Sequence, residues 1–380
     1  MPSLSSMASG LQGSGIRRIM NIAMGTPGVI RLEVGEPLFP TPGHIVQAAC
    51  RAASEGFTRY TPTGGIPSLR AAVAASASRA YGREVPMERV CVTIGAVGAL
   101  SGAIQAVVNP GDEVLVPDPG WPNYRTMTIC AGVRAVAYPM AERLGFLPDL
   151  DALEKLVTPR SKVLLVNSPS NPLGIVFPPG LMAELVDFAR RHDLFLLSDE
   201  VYEYMVYQGR HESAYALDTD DRVIVASGFS KTYAMTGWRI GYAIAPEPVV
   251  QLMGRLQEGS VSCVSGIAQK AAEAALAGPQ DCVAVMRETY REHLQVAREV
   301  LDGRGIPYLD PQGAFYLWVN VGCDDSDAFT EAFLREKRVS VAPGATFGPS
   351  GRHYVRISLA SDAEHIRQGL LRLADFVDGR

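Results

Sequence analysis

Short apolar runs that alternate with helical segments constrain the fold of this chain most strongly. Such runs, rich in aliphatic and β-branched residues, lie at 90–94, 113–116, 133–137, 162–166, 194–198 and 222–226. Helical patterns at 96–108, 149–156 and 178–192 lie between them. Strands that alternate with helices indicate an α/β fold with a mainly parallel sheet. Because ligands bind outside the carboxyl ends of such strands, the residues just after each run are the candidates for a functional site.

The pattern changes after Gly259. A helix is predicted over 267–277 and a long amphipathic helix over 280–301. Predicted strands at 315–321 and 354–359 then alternate with helices at 326–337 and from about Asp362. These elements contain no further parallel series, so they predict a second, smaller α+β domain.

Composition excludes several classes of protein. The 380 residues carry a net charge of −5, which provides no basic field for nucleic acid. The six cysteines are scattered, with no zinc-binding spacing, which predicts free thiols in a reducing compartment. The longest uncharged segment, 90–111, is better explained as a strand, a turn and a helix than as a membrane span. We therefore expect no metal, nucleic-acid partner or membrane partner, and a cytoplasmic location.

A lysine and an arginine follow the last of the six apolar runs, within the segment 227–242. Lys231 lies among small and aromatic residues, where lost solvation would lower its pKa and make the neutral amine a nucleophile. Such an amine condenses with a carbonyl group to form a Schiff base. Arg239 offers a charged fork suited to phosphate. A solvated lysine and a carboxylate-paired arginine are the alternatives, but the two together point toward pyridoxal phosphate.

Polar, aromatic or glycine residues also follow four other apolar runs. The segment 95–97 could present backbone N–H groups to an anion or form an ordinary turn. Trp121 could stack on a planar ring or pack in the core. Asn171 stands before a proline, which is typical of a turn. Asp199 ends an apolar run and needs a partner if buried, unless it caps a helix, and Tyr202 follows three residues later.

The segment 227–242, together with Val-Gly-Glu-Pro at 34–37, Asn-Pro-Leu-Gly at 171–174 and Asp-Glu-Val-Tyr at 199–202, resembles the class I/II aminotransferases. These are fold type I enzymes that use pyridoxal 5'-phosphate, and the resemblance extends in order from Gly35 to Arg356. It implies a large domain, 43–279, with a seven-stranded type of sheet. A small domain would combine the N-terminal segment 1–42 with residues 280–380.

The resemblance also implies a role for each matching residue. Lys231 would hold the cofactor as a Schiff base (aldimine) and move the proton, with Asp199 and Tyr202 assisting. The cofactor contacts would be Gly95, Ala96, Val97, Trp121, Asn171, Asp199, Tyr202, Ser227, Ser230, Lys231 and Arg239. The substrate contacts would be Gly35, Trp121, Asn171 and Arg356.

Two further features follow from the same resemblance. Tyr60 would reach the cofactor phosphate of a neighbouring subunit, which implies a homodimer with composite active sites. Gly228 departs from the pattern, because relatives commonly place a phosphate-binding serine three residues before the lysine. Ser227 and Ser230 flank that position, so they are the candidates to replace its hydroxyl.

The implied activity is transfer of an amino group between an L-amino acid and a 2-oxo acid, with ping-pong kinetics. A C–S or C–C lyase, a cyclase or a decarboxylase on the same cofactor is the alternative, because the motifs do not decide which Cα bond breaks. A non-catalytic ligand-sensing module is disfavoured, since no basic DNA-reading domain precedes Gly35. Val97 provides no second cation and Arg17, Arg18 and Arg125 have no assigned position, so a neutral or aromatic amino acid is the expected substrate.

Overall fold

The computed structural model describes residues 2–11 and 13–379, and the predicted alternation of strands and helices is present. The strands are β1 Ile30–Arg31, β2 Val90–Thr93, β3 Glu113–Asp118, β4 Arg134–Ala141, β5 Leu147–Pro148, β6 Ser161–Asn167, β7 Phe195–Asp199, β8 Val223–Gly228, β9 Gly241–Ile244, β10 Tyr308–Leu309, β11 Tyr316–Asn320, β12 Val339–Ser340, β13 Ala342–Pro343 and β14 Tyr354–Ser358.

The helices include all those predicted between the strands. They are α1 Ser6–Ser9, α2 Gly15–Met24, α3 Gly43–Ser54, α4 Pro67–Tyr81, α5 Gly95–Val107, α6 Asn123–Cys130, α7 Leu150–Leu156, α8 Leu181–Arg191, α9 Ala214–Leu217, α10 Phe229–Thr232, α11 Glu247–Val261, α12 Gly266–Ala277, α13 Asp281–Gly303, α14 Ser326–Lys337 and α15 Ala363–Asp378. Among the residues that the structure describes, no helix is both long and apolar enough to cross a bilayer.

The large sheet has the strand order β2-β9-β8-β7-β6-β3-β4-β5. The five strands β8, β7, β6, β3 and β4 are parallel neighbours, whereas β9 and β5 run antiparallel to the strands beside them. All six predicted strands are confirmed, so the mainly parallel α/β fold is correct. The prediction missed β9 and the two-residue β5, and the sheet therefore has eight strands. The segment between β8 and β9 contains only the short helix α10. Parallel neighbours need a longer crossover connection, so β9 runs antiparallel to β8.

The central strands are buried on both faces, as their continuous apolar runs require. Residues 164 and 166 of β6 pack in one core cluster, whereas residues 163 and 165 pack in the other. The same alternation continues in β7 and β8, because successive side chains of a strand point to opposite faces. It places Asp199 on the face that helix α5 covers, and Glu200 and Ser227 on the opposite face.

The smaller sheet has the order β10-β11-β14-β13 and is antiparallel throughout. Strand β1 pairs with β12 in parallel, which joins residues from the two ends of the chain. The helices α13 and α14 agree with the predicted segments to within two residues at each end, and α15 begins one residue after the predicted start. The domain boundaries at residues 42 and 279 stay predictions.

Candidate active site

A cavity of about 440 Å³ opens at the carboxyl ends of the parallel strands. Its wall combines residues that follow β7 and β8 with residues from α2, α5, β11 and β14. The predicted site residues that line it are Gly35, Ala96, Val97, Trp121, Asn171, Asp199, Tyr202, Ser230, Lys231, Arg239 and Arg356. The fold thus brings together positions that lie as far apart in sequence as Gly35 and Arg356.

Lys231 lies in α10, the single helical turn that follows β8. Its Nζ donates a hydrogen bond to the backbone oxygen of Gly35 at 2.5 Å. Burial lowers the pKa of the Lys231 amine to about 8, and the neighbouring positive charge of Arg356 contributes to the shift. Near neutral pH, an appreciable fraction of this amine is therefore uncharged and able to act as a nucleophile or a base.

Asp199 ends β7 and is 4% exposed. Its Oδ2 accepts a hydrogen bond from the Tyr124 hydroxyl at 2.6 Å, and its Oδ1 accepts one from the Val201 backbone at 3.3 Å. Burial raises the pKa of this carboxyl to about 6, although both hydrogen bonds act to lower it. Within the described residues Asp199 forms no ion pair, so a cationic ligand group would stabilise its charge.

Arg356 projects from β14 and is 2% exposed. Its Nη1 donates to the side-chain oxygen of Asn171 at 3.0 Å, and its Nη2 donates to the backbone oxygen of Glu33 at 2.5 Å. Its Nε is buried and has no hydrogen-bond partner, and the guanidinium lies 4.3 Å from the centre of the Tyr316 ring. A buried cation held without a carboxylate is suited to binding an anionic ligand.

Tyr202 lies one turn beyond Asp199 and is 3% exposed. Its hydroxyl is 2.7 Å from the hydroxyl of Tyr316, which also lines the cavity. Burial, with the neighbouring Tyr316, raises the pKa of Tyr202 well above its ordinary value. Both phenols therefore stay protonated and can act as hydrogen-bond donors at the cavity wall.

The N-terminus of α5 meets β8 and β9 at three glycines. Gly95 adopts φ +65°, a left-handed conformation that favours glycine. A Cβ atom on Gly241 would lie 2.4 Å from the backbone carbon of Gly95, and one on Gly228 would lie 2.9 Å from Cα of Gly241. Relatives commonly carry a serine at the position of Gly228. The glycine here has a packing reason, because any side chain at this position would push β9 away from β8.

A comparison with known families agrees with this geometry. The model for "Aminotransferase class I and II" matches residues 27–373. The chain belongs to the class I and II aminotransferase family. It is a pyridoxal-phosphate-dependent aminotransferase, and amino acids and 2-oxo acids are the substrates of such enzymes.

Individual relatives cover nearly the whole of this aminotransferase. It is 38% identical to the aromatic-amino-acid aminotransferase 2 of Thermococcus litoralis and to the aspartate aminotransferase of Pyrococcus abyssi, in each case over 95% of this chain and 94% of the relative. A solved structure of a single mutant of Thermus thermophilus aspartate aminotransferase superposes with a TM-score of 0.94. That structure is 36% identical, over 99% of this chain and 100% of its own.

Three predicted site residues of the aminotransferase do not line the cavity. Gly95 is next to Ala96, which does line it, and a Cβ atom on Gly95 would lie 2.6 Å from Nη2 of Arg239. Ser227 is on the opposite face of β8, where its hydroxyl donates to Glu203 at 2.9 Å. Its hydroxyl is therefore not available to the cavity as the sequence predicted, because alternate residues of a strand point to opposite sides. Tyr60 is 89% exposed and also lies outside the cavity.

Sequence patterns did not assign several other residues of the cavity wall. Tyr124 follows Trp121 by three residues, and that spacing is consistent with the contact between their rings at 5.4 Å but does not predict the contact with Asp199. In the sequence, Tyr316 is only an aromatic residue of a predicted strand, and nothing around it indicates a functional role. Arg17 of α2, which had no assigned position, also lines the cavity. Arg18 pairs instead with Asp327 and Glu331, and Arg125 with Asp118.

Proposed function

We propose that the aminotransferase carries out its reaction in this cavity, with Lys231 as the residue that binds the cofactor covalently and moves the proton. The observation that carries this proposal is that Lys231 shares one cavity with Asp199 and Arg356. The lowered pKa of its amine, about 8, supports the same role. When bound, pyridoxal phosphate supplies an aldehyde that condenses with amines and a ring that withdraws electrons from the attached carbon. The surrounding side chains bind that ring and its phosphate, orient the substrate and accept or donate the proton.

Several residues of the cavity wall fit the cofactor. The Asp199 carboxylate is buried without a cation, which suits the protonated nitrogen of a pyridine ring. Asn171 and the Tyr202 hydroxyl offer hydrogen bonds to a ring oxygen, and Trp121 offers a flat face for stacking. The N-terminus of α5, at Ala96 and Val97, would bind the phosphate through its backbone N–H groups.

Arg239 and Ser230 complete the proposed phosphate site. The Arg239 guanidinium packs against Gly95, which brings a positive charge to the N-terminus of α5. It is anchored by a hydrogen bond from Nη1 to the backbone oxygen of Thr236 at 2.7 Å. Arg239 and Ser230 both line the cavity, so a charged fork and a hydroxyl are available to the phosphate.

We propose that Arg356 binds the α-carboxylate of the amino acid. Its unpartnered Nε and its contact with Asn171 support this role, because a carboxylate would satisfy both the charge and the missing hydrogen bond. Gly35 lies close by, since its backbone oxygen accepts from Lys231. A carboxylate held by Arg356 would place Cα near Nζ of Lys231, where the amine takes the proton from Cα and returns it in the second half of the cycle.

Replacing Lys231 with alanine tests the proposal. We expect transamination to fall by at least about 10⁴-fold, because both the covalent link and the proton carrier are lost. Borohydride reduction followed by peptide mass spectrometry should find the cofactor on the Lys231 peptide of the parent enzyme only. Lys155, an exposed lysine of α7, provides the matched control, and K155A should keep full activity. An active K231A enzyme would exclude the proposed role.

The homodimer remains part of the proposal. Tyr60 is 89% exposed and lies outside the cavity of its own chain, which supports a role at a neighbouring subunit. Mixing inactive K231A with Y60A tests this role, because a mixed dimer would contain one site with both native residues. We expect activity above the sum of the two variants, and no gain after mixing would contradict shared sites. Cys50, Cys91, Cys130, Cys263 and Cys282 are free thiols, which supports the proposed cytoplasmic location.

A further inference from the structure

We propose that Glu33 is a positioning residue that holds Arg356 in the orientation needed for the α-carboxylate of the substrate. This inference rests on the proposed function, because it concerns how the proposed carboxylate site is held in place. Glu33 is not among the residues that line the cavity, and no motif of the sequence assigns it a role. It acts on Arg356 through its backbone oxygen, which the contacts of its side chain fix.

The guanidinium of Arg356 depends on two oxygens for its direction. The backbone of Arg356 is held between β11 and β13, where it pairs with Trp318 and Ala342. Its guanidinium has two acceptors among the described residues, the side-chain oxygen of Asn171 at 3.0 Å and the backbone oxygen of Glu33 at 2.5 Å. The third nitrogen, Nε, is buried without a partner. The direction of the charged fork therefore depends on where those two oxygens are held.

Backbone hydrogen bonds hold the residue just before Glu33. Leu32 donates its N–H to the backbone oxygen of Ser340 at 2.9 Å, and its own oxygen accepts from the N–H of Ser358 at 2.8 Å. From residue 32 to residue 37 the chain belongs to no strand or helix. Beyond Leu32 this segment therefore needs another anchor to keep the backbone oxygen of Glu33 in place.

The side chain of Glu33 provides that anchor. It is fully buried, and its Oε1 accepts hydrogen bonds from Nε and Nη2 of Arg31 at 2.9 and 2.7 Å. The hydroxyl of Ser340 donates to Oε2. Arg31 and Ser340 are direct partners in the pairing of β1 with β12. The carboxylate thus ties the segment to a pair of strands and keeps its backbone oxygen at Arg356.

The charge of Glu33 and its anchoring contacts predict opposite effects on ligand binding. Burial lowers the pKa of Arg356, whereas the phenols of Tyr316 and Tyr202 and the Glu33 carboxylate act to raise it. The negative charge by itself would weaken the attraction between Arg356 and a substrate carboxylate, so its removal would strengthen binding. Loss of the anchor would instead release an acceptor of Arg356 and weaken binding.

Two small amine reagents test the proposal on the purified holoenzyme. Aminooxyacetate and methoxyamine both condense with the cofactor aldehyde, but only aminooxyacetate carries a carboxylate. The ratio of their second-order rate constants, followed by the cofactor absorbance, therefore reports the carboxylate site and divides out the reactivity of the aldehyde. We expect R356A to lower this ratio about 10- to 100-fold, which is the range for a hydrogen bond to a charged group.

Three substitutions of Glu33 separate anchoring from charge. E33A removes both, E33D keeps the charge but is too short to reach Arg31 and Ser340 together, and E33Q keeps the reach without the charge. We expect E33A and E33D to lower the ratio about 10- to 100-fold and E33Q to stay within about threefold of the parent. A parent-like ratio in E33D, a ratio in E33A at or above the parent value, or a loss in E33Q as large as that in E33A would overturn the proposal.

Glu113 provides the matched control, because it is also a fully buried carboxylate with arginine and hydroxyl partners. It accepts hydrogen bonds from Arg134 and, at 2.8 Å, from Oγ1 of Thr158. It begins β3, so it lies at the end of the sheet opposite the cavity. E113A should lower stability in urea and leave the ratio within about threefold of the parent. An equal loss of the ratio in E113A and E33A would indicate a general effect of destabilisation and overturn the proposal.

Calorimetry with pentanoate provides a second measurement that involves no reaction. The affinity of the holoenzyme for this unreactive carboxylate should fall about 10- to 100-fold in E33D and stay within about threefold in E33Q and E113A. Failure of the proposed function would look different, because R356A would then bind pentanoate as tightly as the parent, and both proposals would be overturned. A loss in R356A without a loss in E33D would overturn only the role of Glu33.

Discussion

Asp199 and Glu200 are consecutive buried carboxylates, but they lie on opposite faces of the large sheet in different environments. Asp199 faces the cavity, accepts hydrogen bonds from Tyr124 and Val201, and has no cationic partner among the described residues. Glu200 is fully buried and is satisfied by protein groups alone. It accepts hydrogen bonds from Ser198 Oγ at 2.8 Å and the Ala214 backbone at 3.1 Å, and it lies 3.0 Å from Nε2 of His211.

Glu203 joins Glu200 and His211 in what we call the Glu200 cluster. Potential ligand atoms of these three side chains lie within 4.8 Å of one another. Glu203 accepts hydrogen bonds from Ser227 at 2.9 Å and Tyr242 at 3.4 Å. Burial and the nearby Glu200 charge raise the pKa of Glu203 to about 7. The comparison teaches that burial of charge alone does not mark a ligand site. Charged groups of the cavity lack protein partners, which a ligand would supply. The side chains of the Glu200 cluster form most of their hydrogen bonds and ion pairs with one another or with neighbouring protein groups.

The largest predicted effect on stability concerns His211. H211A would leave Glu200 as a buried charge without its partner, and we expect the free energy of unfolding to fall by about 3–5 kcal/mol. Urea denaturation would measure the loss, while kcat of the folded enzyme should change less than about threefold. His365 is the control, because its ion pair with Asp362 is exposed and worth about 0–1 kcal/mol. Unchanged stability in H211A would remove the contrast between the two regions.

Asp199 should give the opposite result. D199N keeps the shape of the side chain but removes the charge that would stabilise a protonated ring nitrogen. We expect kcat to fall on the order of 100-fold, consistent with the loss of a charged hydrogen bond. Stability should be unchanged or higher, since a buried charge is removed. E200Q is the matched variant one residue away. A loss of kcat in E200Q as large as that in D199N would show that the two faces are not functionally distinct.

Glu203 predicts a pH dependence of stability. Its pKa is raised to about 7 in the folded chain from an ordinary value near 4.5, so the folded state binds the proton more tightly. The stabilisation is complete below about pH 4.5 and is lost as the pH rises through about 7. We expect E203Q, which stays neutral, to gain about 2 kcal/mol relative to the parent between pH 5 and pH 8, because each pKa unit is worth about 1.4 kcal/mol. Urea denaturation of both proteins at pH 5 and pH 8 would measure this gain. An equal loss of stability in E203Q and in the parent would contradict the prediction.

The smallest predicted effect concerns Tyr124. Its hydroxyl lowers the pKa of Asp199 by donating a hydrogen bond, so Y124F should raise that pKa above its value of about 6. We expect kcat near pH 6.5 to fall by about tenfold or less, in keeping with one lost hydrogen bond, and to recover partly at pH 8. The acid limb of the pH profile would report the change. An equal loss at every pH would indicate that Tyr124 acts by packing.

Much of the fold follows from local sequence, because buried parallel strands need continuous apolar runs. The six predicted strands are confirmed for that reason. β9 was missed because Gly-Tyr-Ala-Ile is short and carries no distinctive alternation. The aminotransferase family was also evident from the sequence, since its motifs are long and their residue types follow from the chemistry of the cofactor. The roles of the individual site residues stay predictions that the experiments above would test.

The strand pattern, the family and the cofactor could be predicted from local sequence, because these depend on residue type and short-range spacing. Which side chains share the cavity became known only from the folded arrangement of the elements. It placed Ser227 against Glu203, gave Gly228 its packing role and brought Arg17 to the wall. Arg356 and Asn171 are 185 residues apart and meet only because β14 packs against the loop after β6. Such contacts depend on how whole elements pack against one another, which no local pattern of residues encodes.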